Sequence, residues 1–175
     1  MNGLKAIFNA SPIIAILDEV ATPELFDLLR ELDWELLVPK HVYRQEITKP
    51  PGSDLLRTLV SRGVLSELDD PPSELISKFL DENPDLEAGE SCVLLCCIRL
   101  KEKRCDVIAV LDEGPARAKA QSLAIPLVGT IGILNLLEKR NLISADEASQ
   151  LRRTLASSTF RVGHGLLRKT EDRVA

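Results

Sequence analysis

DVIAVLDEGPARAKAQSLAIPLVGTIGIL, residues 106–134, is the stretch on which the fold turns. Its first six residues form a nearly unbroken aliphatic and β-branched run, the composition of a parallel strand covered on both faces. Asp112 follows at once. An Ala- and Arg-rich helical stretch from about Ala116 to Leu123, a second short apolar run at IPLV (125–128) and a helix opened by Thr130 come next. Strand, helix, strand and helix in that order are βα units, which build a mostly parallel sheet flanked by helices.

The same alternation extends toward the N-terminus. LKAIF (4–8) reads as the first strand and WELLV (34–38) as the second, with a helix between them from Thr22 to Leu32. Thr22 is its expected N-cap, Pro23 its first residue and Glu24 the acid of its first turn. Pro39 is expected to start a helix that carries Glu46 and ends at Pro50-Pro51-Gly52. Ser53–Arg62 reads as a helix stopped by Gly63, and 64–68 as a short edge strand. Helices are expected at Ser73–Leu80 and Ala88–Leu100, the second apolar enough to cross a buried face. Ser144-Ala145-Asp146-Glu147 is a capping-box sequence opening a further helix. TFRV (159–162) reads as a small strand, followed by a helix bearing Arg168 and Lys169.

With 175 residues, 45% of them apolar, the chain suits one domain (1–175) that folds without disulfides. Three of the four cysteines, Cys92, Cys96 and Cys97, fall within one helical stretch at a spacing that fits neither zinc nor a redox pair, so they read as buried thiols. Aromatic residues make up 3%, too few for a platform on which bases stack. The formal charge of −5 argues against coating nucleic acid by bulk electrostatics, yet accommodates a cation-binding acidic pocket. The N-terminus lacks the pattern of a signal peptide and no apolar run is long enough to span a membrane, so a soluble cytoplasmic protein is expected.

In an open parallel sheet, ligands collect outside the carboxyl ends of the strands. Asn9 ends the first strand and Asp112 the central one. Glu46 and Glu90 open toward the same edge, so four oxygen-bearing side chains, distant in sequence, are expected to converge there. Carboxylates that share a pocket either take up protons or bind a cation. Mg²⁺ or Mn²⁺ suits oxygen ligands of this kind and can activate a water against a phosphodiester.

Several of these segments also resemble a known family, the PIN-domain ribonucleases. FNASPII (8–14) is similar to their opening strand and turn, where an Asp is usual and Asn9 and Ser11 stand here. VPKHVYRQEI (38–47) resembles the segment holding their second acid, which maps to Glu46, and Gly89-Glu90 before an apolar helix resembles the third. VLDEGPARAKAQSLAIPLVGTIGIL (110–134) and FRVGHGLLRK (160–169) resemble a poorly characterised branch with a Gly-Thr turn after the fourth strand. On that likeness Asp112 is the metal-binding aspartate, Glu113 an adjacent acid behind it or exposed, and Thr130 the turn bordering the pocket. The resemblance implies a PIN-like three-layer α/β sandwich with a mostly parallel sheet, Mg²⁺- or Mn²⁺-dependent cleavage of an RNA substrate, an antitoxin protein as partner, and a homodimer.

Each of these residues also has a plain structural use. Asp112 suits the N-cap of the next helix, Glu90 a helix N-terminus and Glu46 a solvated helix face. Asn9 suits tying up the turn backbone, and Ser11 suits capping the turn before Pro12 or holding Asn9. Arg117 and Lys119 suit phosphate contacts, as do Arg152, Arg153, Arg161, Arg168 and Lys169, although charges of this kind are usually solvated. A PIN-like module that binds protein or RNA after losing its metal site is the alternative to the nuclease. A metal-free nuclease pairing His41 with His164 lacks positional support. A nucleotide-binding α/β protein is disfavoured because no glycine-rich loop follows the first strand.

Overall fold

A computed structural model describes residues 3–158. The expected strand at 159–162 and the helix after it lie outside the described residues, as do His164, Arg161, Arg168 and Lys169. Five parallel strands form one sheet in the order β3-β2-β1-β4-β5, with β1 at Leu4–Phe8, β2 at Trp34–Pro39, β3 at Leu65–Leu68, β4 at Val107–Val110 and β5 at Leu127–Val128. From β1 the chain winds outward through β2 to β3. It then crosses back to β4 and winds the other way, so β1 and β4 flank the point where the order reverses. That is where a crevice opens at the carboxyl edge of such a sheet.

The alternation of side chains along each strand divides the core into two layers. Ala6, Phe8, Leu36, Val38, Leu65 and Val110 point to one face, beneath α2 (Glu24–Glu31), α3 (Gly52–Ser61), α7 (Thr130–Lys139) and α8 (Ala145–Ser157). Ile7, Leu37, Val107, Ala109 and Leu111 point to the other, beneath α5 (Ala88–Glu102) and α6 (Gly114–Ser122), with α4 (Ser73–Glu82) alongside α5. Helices on both faces of a parallel sheet make the three-layer sandwich expected from the sequence. Every residue of α5 from Gly89 to Cys97 is buried, because this helix crosses β1, β2 and β4. Cys92, Cys96 and Cys97 are free thiols in that interior, and burial pushes Cys92 up to about 12 and Cys96 up to about 11. Thiols held protonated in this way are inert.

Several local expectations are corrected. A helix, α1 (Ala10–Ile14), follows Asn9 directly and runs on into a π-helical turn over Ala15–Glu19. Pro39 is the last residue of β2, and the helical stretch that carries Glu46 opens just after it, at Lys40 and His41, running into a π-helical turn over Val42–Glu46 and ending there, short of Pro50. Thr22 does not cap α2, whose N-cap position falls on Pro23 with no side-chain capping bond; the Thr22 hydroxyl donates backward to the Val20 carbonyl at 2.8 Å. The strand expected at 125–128 shortens to two residues. Pro126 has no N–H to donate, and β5 meets β4 through the Pro126 and Val128 carbonyls, which accept from Ala109 and Leu111 at 2.8 and 2.9 Å. The capping box at Ser144 and Glu147 forms as expected.

Candidate functional site

Asp112, just beyond β4, is 2% exposed. Its Oδ1 accepts the Thr130 backbone N–H at 2.7 Å and its Oδ2 accepts the Thr130 hydroxyl at 2.6 Å. The carboxylate therefore ties the end of β4 to the first turn of α7. It does not cap α6, whose N-cap is Glu113. Gly129 makes this approach feasible, because a Cβ there would stand 2.8 Å from Asp112 Oδ1 and 2.9 Å from an Arg117 guanidinium nitrogen. Burial pushes the Asp112 pKa upward, against the pull of both Thr130 hydrogen bonds.

Asn9, just beyond β1, is 4% exposed and occupies the N-cap position of α1 without a side-chain capping bond. Its Nδ2 donates a long contact of 3.5 Å to Glu113, while its buried Oδ1 has no partner. The turn-tying use of Asn9 is thus excluded, and a buried carbonyl oxygen without a donor is a costly arrangement. Ser11 does not cap a turn either, because its hydroxyl donates to the other oxygen of Glu113.

Glu90 and Glu46 approach from the α5 side. Glu90, 5% exposed, accepts the Glu87 backbone N–H at 2.9 Å and so supplies a capping contact at the start of α5. Burial pushes its pKa up to about 7, helped by the charges of Glu113, Glu87 and Glu46 and opposed by the Glu87 amide. Glu46 ends the π-helical turn and lies over Gly89, where any Cβ would collide with its carboxylate. Its pKa is also raised, first by burial and then by Glu87 and Glu113; His41, whose Nε2 stands 3.9 Å from Glu46 Oε1, opposes the shift.

Other expected contacts are already engaged. Arg117 donates to the Leu111 carbonyl at 2.9 Å and steadies the β4–α6 turn. Lys119 stands over the Phe79 ring, 5.8 Å from its centroid, on the opposite face of α6 from Arg117. Arg152 pairs with Glu138 at 2.9 Å, and Arg153 donates to the Ser149 carbonyl.

A family model described as a PIN domain matches residues 5–174. The chain belongs to the PIN-domain family. No curated protein matches it significantly. A PIN domain is a nuclease-type fold, and nucleases of this family typically use divalent metals. In this PIN domain the donors suit such an ion chemically: all are oxygens, Asn9 Oδ1 is buried and unpaired, and the acids raise one another's pKa values, a strain a cation relieves. Among the described residues no three Asp, Glu, His or Cys side chains are close enough together to enclose a metal as they stand. No helix among those residues is long and apolar enough to cross a membrane.

Glu113, expected as an acid behind Asp112 or exposed, is the acid on which Asn9 and Ser11 converge and whose charge bears on Glu46, Glu90 and Asp112. The only signal of this in the sequence is its adjacency to Asp112.

Proposed function

We propose that this PIN domain is a Mg²⁺- or Mn²⁺-dependent ribonuclease whose metal is held by Glu46, Glu90 and Asp112 with the carbonyl oxygen of Asn9. The observation that carries the reading is the unpaired, buried Asn9 Oδ1 at the point where the strand order reverses, with Glu113, whose charge bears on Glu46, Glu90 and Asp112, next to the same side chain. A bound divalent ion would supply a water activated at neutral pH and would offset negative charge on the phosphodiester. The protein's own part is to fix the oxygens: Thr130 holds Asp112, the Glu87 amide orients Glu90, and Gly89 leaves room for Glu46. Purified protein with Mn²⁺ is expected to cleave RNA, with cleavage lost in EDTA and in Asp112→Asn. Cleavage surviving either treatment refutes the assignment. An antitoxin protein and a homodimer belong to the same proposal, and sedimentation of the purified chain checks the second.

A second reading is a PIN-like module that binds protein or RNA without catalysis. It is favoured by the absence, among the described residues, of three acids already gathered and by the full engagement of Asp112 with Thr130. Calorimetric titration separates the two, since a module that has lost its site binds no Mn²⁺.

A further inference from the structure

We infer that Glu113 is a direct ligand of the cation, supplying from β4 the negative charge that Asn9 does not bring at the end of β1. The inference rests on the metal-dependent reading above and adds to it a fourth carboxylate.

The position of Glu113 argues first. It is the N-cap residue of α6, with extended backbone at φ −75° and ψ 137°, yet its side chain makes no capping bond. An acid at an N-cap ordinarily accepts the amides of the second and third helical residues. Here the second is Pro115, which has no amide hydrogen. The carboxylate turns instead across the gap between β4 and β1, where Ser11 donates to one oxygen and Asn9 Nδ2, more weakly, to the other. Each carboxylate oxygen has two lone pairs, so both retain acceptor capacity after these contacts.

The Asn9 amide is the independent pointer to a ligand. With Nδ2 turned to Glu113, its Oδ1 is left buried with no donor. A buried carbonyl oxygen without a donor is costly, and a cation reaching it would remove that cost. A carbonyl and a carboxylate together are ordinary donors for a hard divalent ion. Among the described residues, Glu113 is also the acid whose charge acts on Glu46, Glu90 and Asp112 alike, which places it amid the residues proposed as ligands. Moving a carboxylate from the end of β1 to the end of β4 preserves the charge of the crevice, because the two strands are neighbours with Phe8 opposite Val110.

Mn²⁺ titration by calorimetry, with electron paramagnetic resonance of bound Mn²⁺, tests this on the intact chain. Glu113→Gln keeps both hydrogen-bonding oxygens' positions filled but removes the charge. It is expected to weaken Mn²⁺ by more than about tenfold, the lower end of what losing a mere supporting residue costs a metal site. Asn9→Asp introduced into Glu113→Gln is expected to restore most of the loss, which a purely structural role for Glu113 does not predict. Thermal melts of both variants confirm folding. Glu113→Gln binding Mn²⁺ as tightly as the parent, while Glu90→Gln or Asp112→Asn does not, overturns this inference and leaves the proposed function standing. A parent chain that binds no Mn²⁺ overturns both.

Discussion

At the scale of single residues, Asp112 joins a structural role to the metal-binding role proposed for it, and substitution can separate the two. Its carboxylate accepts two hydrogen bonds from Thr130, and an Asn can keep both, because the Thr130 hydroxyl rotates to accept from the new amide. Asp112→Asn should therefore abolish RNA cleavage while shifting stability by less than about 1 kcal/mol. Asp112→Ala leaves a buried amide and hydroxyl unpaired and should cost about 1–3 kcal/mol in denaturant titration. Glu90 gives the pH dependence. Its folded pKa lies near 7, above the usual 4.5, so the folded state holds the proton more tightly. The stabilisation this provides is complete below about pH 4.5 and is lost as pH rises through 7. The metal-free protein should accordingly lose up to about 3 kcal/mol from this group between pH 4.5 and pH 8, and Glu90→Gln should show a shallower slope, with the part due to Glu46 and Asp112 remaining. Mn²⁺ at pH 8 should restore the melting temperature of the parent by binding the ionised form.

Element-level features explain which parts of the site could be read from sequence. The βα alternation and the apolar run at 107–111 indicated the parallel sheet, and Asn9, next after β1, and Asp112, two residues past β4, fell at its carboxyl edge. The arrival of Glu46 depends on a π-helical turn, whose wider winding leaves no periodic mark in a run as short as VYRQE. The turning of Glu113 toward Asn9 depends on a missing capping bond at α6, a tertiary outcome that propensity does not encode. Gly89 tests the element account directly. Within a helix, Gly→Ala ordinarily gains about 0.5–1 kcal/mol, but here the new methyl must push Glu46 aside. Gly89→Ala should retain a folded α5 by circular dichroism while Mn²⁺ affinity drops, although no carboxylate has been removed. Helix ends offer a contrasting test away from the site. α5 and α6 stop at Arg104 and Ala124, non-glycine residues held at φ 61° and 53°. The amide after each reaches back to close the last turn, Cys105 to Leu100 and Ile125 to Ala120. Ala124→Gly should raise stability by about 0.5–1 kcal/mol without affecting Mn²⁺ binding.

For the molecule as a whole, the reversal of strand order between β1 and β4 does what no single motif does. It brings a residue from near the N-terminus, Asn9, beside residues a hundred positions later, Glu113 among them. The two core layers hold β1 and β4 rigidly on both faces, so the crevice between their ends is set by packing more than by loops. The formal charge of −5 fits the proposal that acids of the crevice serve a cation. We propose that the oxygens facing this crevice draw together on a divalent metal. A crystal soaked in Mn²⁺ and measured for anomalous scattering tests it most directly. An anomalous peak bounded by Asn9, Glu46, Glu90, Asp112 and Glu113 is expected; a saturating soak that leaves this crevice without a peak would contradict the metal site.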